Sequence, residues 1–180
     1  MRATRELRLQ VNSVTRAPLF DGFFFAGFEC SEHVLRDGRR LDLLASTQHD
    51  VHAARDYARL RSVGIQTCRE GVSWVRSEPA PGRFDFTSMS SRVLAAREHG
   101  VRVIWDLMHF GWPEHVDIFA ADFPERFAAF AGAVAQQLAQ HAPAPHVFTP
   151  INEMSYLAWA GGDAGCMNPF EHGRGVELKV

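Results

Sequence analysis

Residues 147–154 have the sequence VFTPINEM, a short apolar run that ends abruptly in the amide of Asn152 and the carboxylate of Glu153. The run follows a proline-rich turn at residues 142–145 and predicts a buried strand. Polar residues directly after such a strand lie at the mouth of an α/β fold, where chemistry collects. There the amide can hold a sugar hydroxyl and the acid can protonate a leaving oxygen. The alternative is that both residues only begin the next helix, by satisfying its free N–H groups.

The rest of the chain alternates between apolar strands and helices. Two of the helices end in a glycine that passes directly into a strand, at Gly64 and Gly100. Alternation of this kind predicts an α/β fold with a parallel sheet and right-handed crossovers. No glycine-rich phosphate loop follows the first strand, which weighs against a nucleotide-binding open sheet. The predicted strands lie within residues 19–28, 65–74, 101–108 and 147–151, and the predicted helices span 49–63, 88–99 and 122–140.

Local patterns add detail to this alternation. The aromatic run from Phe23 to Phe28 predicts a central strand buried on both faces, and residues 34–48 are predicted to be a loop. Asp122 is the predicted N-cap of the third helix. Helical spacing predicts that the first helix packs through Val51, Ala54, Tyr57, Ala58 and Leu60, and the third through Phe123, Phe127, Phe130, Val134 and Leu138.

The composition indicates the class of protein. The 180 residues suffice for one domain with a real core, expected at residues 19–180 after a polar, arginine-rich lead-in at residues 1–18. An apolar content of 46% with 22% charged residues is typical of a globular protein. The net charge of −2 gives no electrostatic reason to expect nucleic acid or an anionic membrane as a partner. With no secretory signal and no apolar run of about 20 residues, a cytoplasmic location is expected.

The cysteines and histidines do not predict a metal centre. Cys30, Cys68 and Cys166 have neither metal-ligand spacing nor the even number that disulfides require, so reduced thiols are expected. His109 and His115 are six residues apart, which suits metal ligands neither on a helix nor on a strand. The sequence therefore predicts no metal ligands and no cofactor.

Polar side chains follow every predicted strand. In a βα-barrel the loops after the strands open on one face, so residues far apart in sequence converge there. Arg69 lies in an apolar strand end and needs a carboxylate partner, for which a structural ion pair with Glu70 or Glu78 is the alternative interpretation. These polar residues are Glu29, Ser31, Glu32 and His33 after the first strand, Arg69 at the second, His109 at the third, and Asn152 with Glu153 at the fourth.

Aromatic neighbours leave two interpretations open. His109 stands next to Phe110 and near Trp112, so it can be either a site residue or a hydrogen-bonded core histidine. The tryptophans Trp74, Trp112 and Trp159 can stack on sugar rings or pack in the core.

The polar residues at the ends of the strands, taken in order, resemble those of a known family. The pattern consists of Arg69 with Ser73-Trp74, then His109 followed by Trp112-Pro113, then Thr149-x-x-Asn152-Glu153. It is similar to that of the clan of retaining glycosidases built on (β/α)8 barrels. Within that clan the pattern is closest to the family-1 β-glucosidases, and it covers residues 19–160 approximately. Two departures from family 1 are Glu70-Gly71 after the arginine and Met154 after the glutamate. The match to the clan is therefore firmer than the match to family 1.

The resemblance implies a (β/α)8 TIM-barrel fold, of which this chain holds the first four βα units, and a role for each matching residue. Glu153 would be the general acid/base, Asn152 would bind the sugar 2-hydroxyl, and His109 would bind a neighbouring hydroxyl. Arg69 would orient the nucleophilic carboxylate, which the clan takes from its seventh strand. The expected substrate-binding residues are Asn152, His109, Arg69, Trp112 and Glu32, the last of these where the family often has a glutamine.

Chain length adds a further expectation. A complete barrel takes about 250 residues, so the chain is predicted to be the N-terminal half of a longer hydrolase and to be inactive alone. Arg69 would then lack its natural partner. Unpaired strand edges in a half-barrel predict self-association, most simply as a homodimer.

Three functions remain open on the sequence. The first is hydrolysis of a β-linked O-glycoside by a retaining two-carboxylate mechanism, with Glu153 as the acid/base. The second is a non-catalytic half-barrel that binds carbohydrate or pairs with another subunit. The third is a metal-assisted barrel hydrolase that uses His109 with acidic neighbours.

Overall fold

A computed structural model describes residues 19–178. The predicted lead-in at residues 1–18 lies outside the described residues. The chain order is β1 (Phe25–Gly27), β2 (Glu32–Val34), β3 (Arg40–Asp42), α1 (Leu43–Thr47), α2 (His49–Ser62), β4 (Thr67–Gly71), α3 (Trp74–Ser77), α4 (Thr87–His99), β5 (Arg102–Met108), α5 (Phe123–His141), β6 (Val147–Ile151), α6 (Met154–Leu157) and a π-helix at Ala158–Asp163.

Four of these strands form one parallel sheet in the order β1-β4-β5-β6. Helices α2, α4 and α5 connect successive strands of that sheet, so the predicted alternation and the α/β class are confirmed. The register places Asp106 of β5 opposite Gly71 of β4 and Thr149 of β6. The carboxyl ends of the strands therefore meet at one edge of the sheet. Among residues 19–178, no helix has the length and apolar character needed to cross a membrane.

The first strand differs from its prediction. It covers only Phe25–Gly27 and pairs with β4 alone in the described part of the chain, which makes it an edge strand. Phe23 and Phe24 are 91% and 72% exposed. The prediction of a central strand buried on both faces is therefore wrong, because nothing in residues 19–178 covers the outer side of β1. Strand β6, predicted to be buried, is the other edge and is only half-buried.

Residues 34–48 are not the predicted loop. They complete the antiparallel hairpin β2–β3, which turns at Gly38 with φ +83°, and then form helix α1. Strands of three residues are too short to show alternation in the sequence. The Glu32 N–H donates to the carbonyl of His109 over 3.0 Å. A Cβ on Gly111 would lie 2.0 Å from the Glu32 carbonyl oxygen, so only glycine lets the hairpin approach the loop after β5 so closely.

The core lies between one face of the sheet and helices α4 and α5. Val103, Trp105 and Leu107 of β5 point to this face, as the two-residue period of a strand requires. Phe130 of α5 is fully buried and stacks on Trp74, with ring centroids 4.9 Å apart. The predicted packing face of α5 is confirmed at Phe130, Val134 and Leu138, whereas Asp122 precedes the helix without a side-chain capping hydrogen bond.

Helix α2 packs through only part of the predicted face, since Tyr57 is buried and Leu60 packs against the core as expected. Its buried residues are His49, Ala53 and Tyr57, whereas Val51 is 73% exposed and Ala54 and Ala58 are exposed as well. Apolar spacing was misleading in part because His49, a polar residue, turns inward in place of Val51. His49 and Tyr57 both contact the carboxylate of Glu70, which is fully buried.

Candidate active site

The carboxyl ends of β4, β5 and β6 bring Arg69, Asp106 and Asn152 together. The Arg69 guanidinium donates to Asp106 through Nε (2.8 Å to Oδ1) and lies 2.7 Å from Oδ2 through Nη2. The same Nη2 donates to the Asn152 amide oxygen over 2.5 Å. Asp106 and Asn152 are 1% and 6% exposed. One arginine thus joins three neighbouring strands at the edge where ligands bind in parallel α/β folds.

Asp106 is the carboxylate partner that Arg69 required. The alternative partners are excluded, because Glu70 lies on the opposite face of β4 and Glu78 binds Trp74 and the backbone of Gly82. The partner that the clan supplies from its seventh strand is a different carboxylate, and the expectation that Arg69 lacks it stays a prediction. Burial raises the pKa of Asp106, but hydrogen bonds with His109, Arg69 and Thr149 lower it by more, so the pKa lies below its usual value and the group is ionised.

His109 lies beside Asp106, at the end of β5. Its Nδ1 is 3.4 Å from Asp106 Oδ2 and 3.1 Å from the sulfur of Cys30, and its Nε2 is 3.6 Å from Glu29. The side chain is 13% exposed. These residues line a cleft of about 240 Å³ between the ends of β1, β4 and β5. His109 is therefore a histidine at the wall of a cleft rather than a residue enclosed in the core.

Glu153 follows Asn152 and is exposed. It takes a left-handed backbone conformation, φ 43° and ψ 54°, just before α6, and its side chain makes no capping hydrogen bond. Since Asn152 uses its side chain on Arg69, the alternative that these two residues serve as helix caps is not supported for either side chain. A left-handed glutamate is uncommon, and such strain is concentrated at functional sites.

Glu32 and Trp112 occupy buried positions. Glu32 is 5% exposed, and its carboxylate accepts a 2.5 Å hydrogen bond from the hydroxyl of Ser73. Burial raises the pKa of Glu32, and the bond from Ser73 offsets part of that effect. Trp112 is 8% exposed and belongs to the hydrophobic core. Their predicted contacts to sugar remain predictions.

The other two tryptophans differ sharply from each other. Trp74 is a core residue, 1% exposed, whereas Trp159 is 54% exposed and lies against Tyr156 with ring centroids 5.8 Å apart. Of the three tryptophans considered from the sequence, Trp159 is the one whose ring is free to stack on a ligand.

Two residues of this region were missed from the sequence. Asp106 is a carboxylate inside an apolar strand, and β-strand alternation with the register to β4 would have placed it on the same face as Arg69. Cys30 was assigned only as a reduced thiol. A Cβ on Gly71 would lie 2.5 Å from its sulfur, so the thiol fills the space that this glycine leaves.

A second groove, also of about 240 Å³, lies at the opposite, amino end of the sheet. It is lined by the start of β5 and by the turn before β6, with Arg97 and Arg102 among its polar residues. None of the site residues predicted from the sequence lies there, so the cleft at the carboxyl ends is the candidate active site.

Comparison with known proteins bears on the fold. No family model matches the chain, and no curated protein matches its sequence. A mutant rice Os3BGlu6 β-glucosidase in a covalent complex with Glc superposes with a TM-score of 0.67 at 15% identity, over 85% of this chain and 38% of that one. Trichoderma reesei β-glucosidase 2 superposes with a TM-score of 0.63 at 20% identity, over 80% of this chain and 33% of that one. The family 1 β-glucosidase from Thermotoga maritima superposes with a TM-score of 0.61 at 16% identity, over 69% of this chain and 29% of that one.

These likenesses confirm the predicted resemblance at the level of fold. The chain spans between about a quarter and two fifths of the length of the solved chains that it matches. The four parallel strands and their helices have the (β/α)8-barrel type of fold found in family-1 β-glucosidases, and this chain supplies four of the βα units.

Proposed function

We propose that this chain carries the acid/base side of a retaining glycoside hydrolase site for a β-linked sugar. The observation that supports this most is the network of Arg69, Asp106 and Asn152 at the carboxyl ends of three neighbouring strands, with Glu153 directly after it. The barrel fold adds weight because its active sites lie at this edge. Fold alone would not assign a function, so the proposal depends on these side chains.

Asn152 and His109 would bind the sugar. The Asn152 amide oxygen accepts from Arg69, so its NH2 group is the part that donates to a sugar hydroxyl. Because Arg69 is itself fixed by Asp106, the amide cannot turn over without losing this bond. His109 has its Nδ1 beside Cys30, which leaves Nε2 for a second hydroxyl. Both groups are held before the ligand arrives, which lowers the entropic cost of binding.

Glu153 would protonate the departing glycosidic oxygen and then activate water. Its side chain is exposed and accepts no hydrogen bond from residues 19–178, so the carboxyl group is free to contact a substrate. General acid–base catalysis of this kind contributes about 10²- to 10⁴-fold in rate.

The nucleophile would come from outside the four strands of this chain. A retaining mechanism needs a second carboxyl group at about 5–5.5 Å from the first. In the clan that this chain resembles, the group stands on the seventh strand and is oriented by the arginine that Arg69 matches. Here Asp106 holds Arg69, so a nucleophile would join an arginine that is already anchored.

The experiment compares two β-glucosides that differ only in their leaving group, nitrophenol or phenol. The enzyme is the chain complemented with the fifth to eighth strands of a family-1 barrel. Glu153→Gln should lose hydrolysis of the phenyl glucoside far more than that of the nitrophenyl glucoside, because nitrophenolate departs without full protonation. Equal losses on both substrates would contradict the acid role. Glu98→Gln, at an exposed position on α4, is the matched control and should retain both activities.

A second candidate function is binding or subunit pairing without turnover. In the described part of the chain, β1 and β6 each pair on one side only, and Phe23 and Phe24 are exposed beside β1. An unpaired edge next to exposed aromatic rings favours association. Sedimentation of the chain alone, together with calorimetric titration by a β-glucoside, tests this candidate. A homodimer that binds the sugar without hydrolysing it would support the second function, and a monomer without affinity for sugar would exclude it.

A further inference from the structure

Three potential metal ligands meet in the wall of the cleft. The Cys30 sulfur, an Asp106 carboxylate oxygen and a ring nitrogen of His109 all lie within 4.8 Å of one another. We propose that these three side chains form a binding site for a divalent metal ion that favours sulfur and nitrogen ligands, with zinc as the best fit. This inference goes beyond the proposed glycosidase function. It names Cys30 and Asp106 as ligands beside His109, for which the sequence offered a metal role only as an alternative.

The separations match a tetrahedral metal site. Sulfur to His109 Nδ1 is 3.1 Å, Nδ1 to Asp106 Oδ2 is 3.4 Å, and sulfur to the same Oδ2 is 3.9 Å. Zinc bonds of about 2.3 Å to sulfur and about 2.0–2.2 Å to nitrogen and oxygen place tetrahedral ligand atoms roughly 3.3–3.6 Å apart. Shifts of a few tenths of an ångström would bring all three atoms into range.

The ligand positions are fixed by the surrounding fold. Asp106 is 1% exposed and lies inside β5, and His109 follows it three residues later in the same segment. Cys30 comes from the loop after β1 and fits against the bare Cα of Gly71, where a methyl group would meet its sulfur at 2.5 Å. Two segments thus hold the donor atoms, and β4 supports the cysteine from behind.

Groups behind the ligands complete the arrangement. Arg69 donates to Oδ1 of Asp106 and forms an ion pair with Oδ2 at 2.7 Å, and so orients this carboxylate, as second-shell partners of metal ligands commonly do. A metal bound to His109 Nδ1 leaves the ring proton on Nε2, which lies 3.6 Å from the Glu29 carboxylate, so Glu29 would orient the imidazole. The charge of Arg69 opposes a cation, but Asp106, Glu29 and a Cys30 thiolate together outweigh it.

Metal binding would replace the thiol proton. On binding, the S–H proton passes to solvent as the sulfur–metal bond forms, with no change in oxidation state. Three protein ligands leave one tetrahedral position for water from the cleft, which is the pattern of zinc sites that stay open to solvent.

The test uses the purified chain alone, stripped of metal with a chelator. Zinc is titrated against a chromophoric chelator, and cobalt is added separately because its visible absorption reports tetrahedral coordination and a thiolate ligand. The expected result is one ion per chain with a sulfur-to-cobalt charge-transfer band. Because no sugar is present, a failure here says nothing against the proposed glycosidase function, and the leaving-group assay says nothing about the metal.

Variants assign the ligands. Cys30→Ser should abolish the charge-transfer band, and both Cys30→Ser and Asp106→Asn should weaken zinc binding by more than about 100-fold, since even second-shell changes cost about 10- to 100-fold. Cys166→Ser removes an exposed cysteine elsewhere and should change nothing. Circular dichroism of every variant establishes that it is folded. Less than one bound ion per chain in the parent, or unchanged affinity in folded Cys30→Ser, would overturn the proposal.

Discussion

Arg69 and Glu70 are neighbours in β4, yet they belong to two networks with opposite properties. Glu70 faces the helices, where it is fully buried and contacts His49, Tyr57 and Arg92; we call these four residues the helix-side network. Arg69 faces the cleft, where its side chain is 41% exposed and joins Asp106, Asn152 and the adjacent His109, the cleft network. In the first network protein groups surround the charge, whereas in the second the polar groups remain accessible to a ligand.

The helix-side network shows what a structural role looks like. Tyr57 donates to one oxygen of Glu70 over 2.5 Å, and His49 Nε2 lies 2.7 Å from the other. Arg92 is fully buried, donates to the Gly71 carbonyl and lies 3.7 Å from Glu70. Burial raises the pKa of Glu70, but Arg92 and His49 lower it by more, so the buried carboxylate is ionised. This network therefore stabilises the packing of α2 and α4 on the sheet.

The largest effect is expected when the buried charge is removed. Glu70→Gln leaves the fully buried Arg92 without its counter-charge and should destabilise the fold by about 3–5 kcal/mol. Asp106→Asn, the equivalent change in the cleft network, should cost only about 1–3 kcal/mol, because Arg69 can turn to water. Urea unfolding of both variants in metal-free buffer measures the difference. Equal losses would show that the two networks do not differ in this way.

A smaller loss is expected from a single hydrogen bond of the helix-side network. Tyr57→Phe removes a donor to a buried, ionised carboxylate and should cost about 1.5–3 kcal/mol. Tyr156→Phe makes the same chemical change at a residue that is 44% exposed, so the free energy of unfolding should stay within about 0.5 kcal/mol of the parent. Urea midpoints of the two variants give the comparison directly. A comparable loss in both would mean that Tyr57 stabilises through its ring alone.

Sequence reasoning predicted one network better than the other. Arg69, His109 and Asn152 were found because each follows an apolar strand, and the barrel geometry brings strand ends together. Glu70 was considered only as a partner for Arg69, because a pairing of Glu70 with His49 and Tyr57 depends on how α2 packs. Such pairings across helix and sheet have no local signal in the sequence.

The fold shows the same division. Strand and helix order, the Gly64 and Gly100 stops and the α5 core face follow from local patterns and were predicted. The hairpin at β2–β3 and the edge position of β1 were not, because short polar strands lack alternation and edge strands are defined by missing neighbours. The residues that join segments, Asp106 and Cys30, were likewise visible only once the register was known.

The pH dependence of stability gives a further test of the helix-side network. Burial lowers the pKa of His49, but its hydrogen bonds with Glu70 and Asp56 and the charge of Glu70 raise it by more, while Arg92 opposes them, so the pKa lies above its usual value. A histidine whose pKa is raised by folding contributes its full stabilisation below its pKa in the unfolded chain, about 6.5. This contribution is lost as the pH rises through its pKa in the folded protein.

The parent should therefore lose stability from pH 6.5 upward relative to His49→Gln. Below about pH 4.3 the free energy of unfolding should instead fall as the pH falls. Folding lowers the pKa of Glu70, so the stability that this carboxylate contributes is lost as the pH falls through its pKa in the folded protein. Urea unfolding across this range, with the parent and His49→Gln side by side, measures both limbs. Parallel curves above pH 6.5 would show that His49 is neutral in the folded protein.

The smallest effect expected is a gain in stability at the end of the cleft network. Glu153 holds φ at 43°, a conformation that costs an L-residue roughly 1–2 kcal/mol and costs glycine little. Glu153→Gly should therefore be more stable than Glu153→Ala by about 1 kcal/mol. At Gln136, an exposed position within α5, the order should reverse, since glycine in a helix is about 1 kcal/mol worse than alanine. If both positions favour alanine, Glu153 is not strained. If glycine is the more stable at Glu153 and alanine at Gln136, the backbone at Glu153 is strained. A strained glutamate is not explained by stability, and it fits a carboxylate held for the chemistry proposed here.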